Sequence, residues 1–371
     1  FLVENSMFKG TLNGDYGVGV KSTVGAIFKD NTIKNSAADG GSDYGALYLT
    51  GSSSSLIQNN TIINSGKSGI HLKSSSANNK IYGNTVTFSY YNGLYVQSSH
   101  GNLIRNNTFS SSGDHGIKIA SSVSIVVDNN TLDSNTDNGL YVSSADDITI
   151  KSNTVSDNNA GIYISTSDDP ILSSNTIESQ TTFGVYIIES ERVKFKSNIV
   201  KNNNNDALTL SSGCDDSFID NNTIKDNGQS SVGKAIKLFE VDGTIIYNNS
   251  ILSNDYTGIT IALSNSNFIV HNTIKSNGKY GISITSDLTT SANNTIKDNT
   301  INDNQDIAIY IDGIFTKIIN NTIKYNDKDG IQILANGART TIQQNNFVDN
   351  EENAIHVIGN NVLVTSNTID G

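Results

Sequence analysis

Tryptophan is absent from this 371-residue chain, and proline, cysteine and methionine occur once each. A single proline suits a fold in which most backbone N–H groups enter hydrogen-bonded ladders, since each proline would remove a donor. The lone Cys214 excludes an internal disulfide framework and leaves the redox compartment open. Arginine is confined to Arg105, Arg192 and Arg339. With a formal net charge of −12, this speaks against a nucleic-acid partner, because neutralising phosphates requires clustered cations. No run of 18 apolar residues is present, so no membrane-spanning helix is expected.

Internal repetition fills the chain instead. Cut before each Asn-Thr, residues 107–174 read NTFSSSGDHGIKIASSVSIVVDN, NTLDSNTDNGLYVSSADDITIKS and NTVSDNNAGIYISTSDDPILSS. Each unit has three short pieces of apolar alternation, and period two means strands. Three strands per unit, with no helical stretch between them, predict an all-β parallel β-helix with one coil per unit. The opening Asn recurs from Asn5 and Asn31 through Asn153 to Asn346 and Asn367, giving about fifteen coils with a mean period of about 24 residues. A second register, a small residue followed by apolar-x-apolar, runs from Gly17 to Ala354. The expectation is one domain over residues 1–371 and no linker, since a solenoid grows in one dimension.

In parallel stacking, equivalent residues of successive coils lie about 4.8 Å apart and form ladders. The opening Asn is expected to turn inward and bond its neighbours above and below. The residue before it varies (Asn59, Gly83, Ser152, His271) and is expected to face solvent. Neither end carries a recognisable cap, and the chain starts at Phe1. A segment of a longer β-helix, or a protein that associates end to end through open strand edges, is expected on that ground.

The pattern G-I-x-L…N-x-I-x-x-N-T-I resembles the right-handed parallel β-helix repeat of carbohydrate-associated proteins, the NosD-like family and many archaeal and bacterial surface proteins. The resemblance covers essentially the whole chain. It implies a right-handed single-stranded coil and an extracellular or cell-surface location. Its functional range spans polysaccharide lyases, epimerases, hydrolases, tailspikes, adhesins and structural proteins.

Three groups of residues could carry function. The outward position of the G-I-x-I piece reads His71, Tyr95, Lys118, Tyr141, Tyr163, Tyr186, Thr209 and Lys237. Tyr141, Tyr163 and Tyr186 could contact a sugar polymer. His71, Tyr95 and Lys118, with Asp114 and His115 nearby, would give a uronate lyase or epimerase its base, acid and cation. An acidic column, Asp146, Asp168, Glu191 and Asp215, would suffer like-charge repulsion that Ca²⁺ could relieve. No other cofactor is required. Seven N-x-[ST] sequons, at Asn59, Asn106, Asn129, Asn221, Asn248, Asn293 and Asn320, all fall on the residue before the ladder Asn and would suit glycosylation.

Catalytic motifs of the resembled enzymes are mostly missing. Asn135-Thr136-Asp137 is present, but no G-H-G follows it. The Tyr-Gly…Asp-Pro-His pattern of alginate epimerases has no counterpart, and the coils lack the long loops that would wall a groove. The sequence therefore favours an extracellular structural or adhesive shaft, of a surface layer, sheath or filament. The alternative is a polysaccharide-active lyase or epimerase, or a carbohydrate-binding module, working along the His71–Tyr186 ridge.

Overall fold

The computed structural model describes residues 1–10, 17–36, 44–229, 232–286 and 291–370. Every regular element among them is a short strand, and every strand pairing between strands is parallel. The described residues form two compact units, Phe1–Thr181 and Thr182–Gly371, each considered by itself. In the first unit, eight strands from Leu2–Glu4 to Ile171–Ser173 form the first sheet. Eight from Met7–Lys9 to Thr176–Glu178 form the second, and seven from Val18–Lys21 to Ala160–Ser165 the third. The second unit repeats this plan with eight strands in each sheet. One strand from each sheet makes a coil, so the expected parallel β-helix of about fifteen coils is what the chain forms.

Alternation within each strand sends one side chain inward from the first and second sheets and two from the third. In the first unit these are Ile104, Phe109, Ile117 and Ile119 in one coil, and Val127, Leu132, Leu140 and Val142 in the next, all essentially inaccessible to solvent. Strand register places like on like: Ile104 pairs with Val127, Phe109 with Leu132, and Ile117 with Leu140. A fully buried side chain of this size contributes about 1.5–3 kcal/mol, while ordering each residue's backbone costs about 1–2 kcal/mol. A coil therefore depends on its neighbours for stability.

The corners explain the composition. Between the first and second sheets, a residue in the left-handed region precedes the ladder Asn, as at Asn106 (φ 57°), Asn129 (φ 53°) and Ser152 (φ 56°). Asn, Asp and Gly tolerate that conformation better than other residues. Where glycine takes the position, as at Gly83 (φ 65°), the steric cost is absent. The next residue turns inward as foreseen. Asn130 donates its backbone N–H and Nδ2 to Asn153 Oδ1 at 2.9 and 3.0 Å, and Asn153 repeats both bonds to Asn175. In two places the ladder position differs from the sequence expectation by one residue. Ser6, not Asn5, donates to Asn31 Oδ1, and Asn345, not Asn346, accepts from Asn321. Asn5 takes the left-handed corner, and Asn346 begins the following strand, where Thr usually stands.

A second buried ladder lies at the corner between the second and third sheets. In the first unit it runs Ser112, Asn135, Asn158, Gln180, each backbone N–H donating to the next side-chain oxygen at 2.9–3.0 Å. In the second unit it runs from Asn203 through Asn227 and Asn254 to Asn350. At the corner leading back to the first sheet, serines take the same role, with Ser76 and Ser99 donating backbone N–H to Ser99 and Ser122 Oγ.

Candidate functional site

The third sheet of the first unit carries an outward column of large side chains. Its register runs Tyr48, His71, Tyr95, Lys118, Tyr141, Tyr163. Coil spacing puts planar rings within stacking range, and they use it. His71 lies 4.6 Å from Tyr95 at 17°, and Tyr141 lies 5.3 Å from Tyr163 at 2°. Lys118 stands between the two ring pairs, its Nζ 5.5 Å from the Tyr95 centroid and 5.4 Å from that of Tyr141. Such cation–π contacts are worth about 0.5–2 kcal/mol each, depending on exposure.

This packing corrects two expectations. His71 occupies an outward position, yet it has 0% of its surface exposed, because Tyr48 and Tyr95 close over it from the coils on either side. It cannot act as a base on a polymer lying along this face. The phenol rings stand on edge and cover one another, so Tyr141 and Tyr163 offer ring edges and hydroxyls rather than faces. Tyr186 belongs to the second unit, where its ring packs 5.4 Å from Phe183.

Beside the column, the turn before each third-sheet strand gathers titratable groups. The His115 ring stacks on Tyr141 at 4.7 Å and 11°. Its Nδ1 accepts the backbone N–H of Asn138 at 3.3 Å and lies 3.6 Å from Asp137 Oδ2. Burial lowers His115 from its usual value to about 4 against the opposing pull of Asp137. The neutral ring with Nδ1 accepting carries its proton on Nε2. Asp114 is raised, first by burial and then by Asp137, with Lys118 pulling the other way. A cavity of about 490 Å³ adjoins Asp114, lined by Phe88, Ser89, Tyr90, Tyr91, Ser111 and Gly113. Phe88 and Tyr90 are more than half exposed. These aromatics are functional candidates that the repeat reading passed over. Their signal is the run FSYYN at residues 88–92, three aromatics within one turn.

The acidic column is held by backbone donors. Asp146 Oδ1 accepts the N–H of Asp168 at 2.9 Å in the first unit, and Asp215 Oδ1 accepts that of Asp242 at 2.7 Å in the second. Glu191 pairs with Arg192. Among the described residues no group of three or more His, Cys, Asp or Glu side chains converges on a metal-sized site. The seven sequon asparagines all sit at left-handed corners, six of them exposed and Asn106 half-buried.

The sequence matches the family described as right handed beta helix region over residues 1–87, 68–224, 181–311 and 287–370. No curated protein matches it. Among solved structures, it is similar to the A-module of mannuronan C-5 epimerase AlgE6 from Azotobacter vinelandii, with 14% identity and a TM-score of 0.54, covering 94% of this chain and 90% of that one. The AlgE4 A-module from the same organism has 14% identity and a TM-score of 0.50 over 94% of this chain and 91% of that one. A mutant of the periplasmic alginate epimerase AlgG gives 14% and 0.50 over 92% and 77%. At such identities the likeness is one of fold.

Proposed function

The chain belongs to the right-handed β-helix family, and from that premise we propose that it is an extracellular adhesive shaft that binds a polysaccharide along the third sheet of its first unit. The observation that carries this reading is the unbroken outward column from Tyr48 to Tyr163 with Lys118 lodged between its ring pairs. A polymer lying along it meets phenol hydroxyls, ring edges and one ammonium at coil-spaced intervals. The solved structures of similar fold are named as epimerases of mannuronan and alginate, and a sugar-polymer ligand is compatible with that likeness. Glycans on the exposed corner asparagines would lie on a different edge of the coil and leave the face open.

Affinity electrophoresis through gels containing neutral and acidic polysaccharides tests the reading. At least one polymer should retard the protein, and Tyr141→Ala should weaken that binding by about tenfold, as expected when a contact worth 1–2 kcal/mol is removed. A chain that no polymer retards, or a folded Tyr141→Ala variant with unchanged mobility, overturns it.

One observation favours catalysis as a second reading. Asp114, His115, Asp137 and Lys118 converge beside the cavity under Tyr90 and Tyr91. A carboxyl raised above its ordinary value by burial and a cation are what abstraction of a proton beside a uronate carboxylate needs. Conversion of a polyuronate to unsaturated or epimerised product, lost in Asp114→Asn, would establish it. An inert protein that still binds leaves the adhesive reading standing.

A further inference from the structure

Several lysines on the outer faces of the coils pair with carboxylates. Lys151 pairs with Asp128, Lys225 with Asp226, Lys275 with Asp303 and Lys297 with Asp298. On the third-sheet side of the second unit, lysines gather around aromatic rings instead. Lys234 and Lys279 lie on either side of the Tyr256 ring, with Nζ 5.5 and 4.7 Å from its centroid. Lys279 also donates to Tyr256 Oη at 2.7 Å and sits 4.7 Å from the Tyr280 ring. Among the described residues neither ammonium has a carboxylate within salt-bridge distance. The nearest acidic influence on Lys279, Asp306, accepts Lys328 Nζ at 3.0 Å and the N–H of Ile307 on the same oxygen. In a chain with 36 acidic residues against 24 basic ones, two lysines gathered on one tyrosine ring give this side a local positive patch.

The outward column beside them has a gap. Its register runs Lys237, Thr260, Ser283, Tyr310. Two small hydroxyl residues thus lie between a lysine and a phenol, which at about 4.8 Å per coil are roughly 14 Å apart. Tyr310 stacks on Tyr280 at 4.8 Å and closes one end. Tyr256 and Lys279 form the flank. The result is a shallow seat floored by the half-buried Thr260, with Ser283 closed off at 4% exposure, an aromatic wall, the ammonium groups of Lys234 and Lys279 on its flank, and Lys237 reaching over Phe239 at its end.

We propose that this seat in the second unit binds an anionic sugar residue, carboxylated or sulfated, of a polysaccharide. Thr260 and the phenol hydroxyls meet the sugar's hydroxyls, while Lys234, Lys237 and Lys279 supply the charge that the rest of the protein repels. The site needs neither the Tyr141 face nor any catalysis in the first unit.

Calorimetric titration of the 371-residue chain with a polyuronate, a sulfated dextran and plain dextran tests it. All three are measured in a Lys118→Met/Tyr141→Ala background, so that the first unit's face is already disabled. At least one anionic polymer should bind about tenfold tighter than dextran at low salt, and should lose most of that advantage near 0.25 M salt as screening shortens the range of the charges. Adding Lys234→Met and Lys279→Met, which keep the aliphatic stems, should remove the advantage and leave dextran binding unchanged. Whether the polyuronate or the sulfated dextran responds identifies the anion. Anionic polymers that bind no tighter than dextran overturn the proposal. So does a folded double-methionine variant that retains binding within twofold. If that variant unfolds, the single Lys234→Met change and the salt dependence of the unaltered seat decide in the same way.

Discussion

Replacing Asn153 by alanine tests the inward ladder where it is surrounded on both sides by coils of the first unit. Asn153 Oδ1 accepts Asn130 N–H at 2.9 Å and Asn130 Nδ2 at 3.0 Å, and its Nδ2 donates to Val127 O at 2.9 Å. Asn130 Nδ2 keeps its bonds to Ile104 O and Asp128 O after the change. The backbone N–H of Asn130 keeps none, and Val127 O loses a donor. Each buried group left unpaired costs about 1–3 kcal/mol, so the substitution should destabilise the fold by about 2–4 kcal/mol. Ser152→Ala, one residue earlier, removes an exposed hydroxyl and should cost under about 0.5 kcal/mol. Denaturation midpoints followed by circular dichroism supply the comparison. Hydrogen exchange adds a local reading, because the Asn130 amide should lose protection in the Asn153 variant only. Equal midpoints for the two variants, or an Asn130 amide equally protected in both, would refute the assignment of inward and outward positions.

Three other outcomes follow from the corners and the buried groups. Asn129→Val places a β-branched residue at φ 53° and should cost about 1–2 kcal/mol, whereas Asn129→Gly should be near neutral; similar losses in both would show that the amide and not the backbone matters. His115 titrates near 4 in the folded chain and near 6.5 when unfolded, so the unfolded state takes up its proton first as pH falls. The stability it contributes is fully present above pH 6.5 and is lost towards pH 4, by an amount of the order of 3 kcal/mol. Asp114, raised by burial, slopes the opposite way just above its ordinary value, so the test is the difference between wild type and His115→Asn, and parallel pH profiles would contradict it. Because no three acidic side chains converge at the turn of Asp146 and Asp168 among the described residues, millimolar Ca²⁺ should leave the melting midpoint unchanged; a rise that vanishes in Asp146→Asn/Asp168→Asn would establish a calcium site there.

Ladders and core were legible in the sequence because each structural role repeats with the coil. Period-two alternation marked Ile117 and Ile119 as inward, and the recurring Asn marked the corner at Asn130 and Asn153. The second ladder was equally present in the spacing, since Asn135 and Asn158 each stand five residues after a ladder Asn. It was missed because Ser112 and Gln180 share that position and dilute the pattern. Burial of His71 could not be read, because alternation gives the side of the sheet and not the height of the neighbouring rings. The seat between Lys237 and Tyr310 escaped for a similar reason. Its defining feature is two small residues, Thr260 and Ser283, and a gap is visible only once register aligns four coils. Left-handed corners did leave a trace, in the frequent Asn-Asn before Thr, but that trace was read only as exposure.

The ladders also have a direction. In each unit the ladder Asn backbone N–H donates to the side-chain oxygen of the following coil, while Nδ2 donates both to that oxygen and to a carbonyl of the preceding coil. Amide dipoles stacked head to tail in a buried corner polarise one another, so each bond is strengthened by those before and after it. A cut at one rung is therefore felt further along than its immediate neighbours. A second cut beside it finds the chain of dipoles already interrupted and costs less than the first. Removing Asn130 and Asn153 together should consequently cost less than the sum of the two separate losses, whereas two cuts several coils apart should approach that sum.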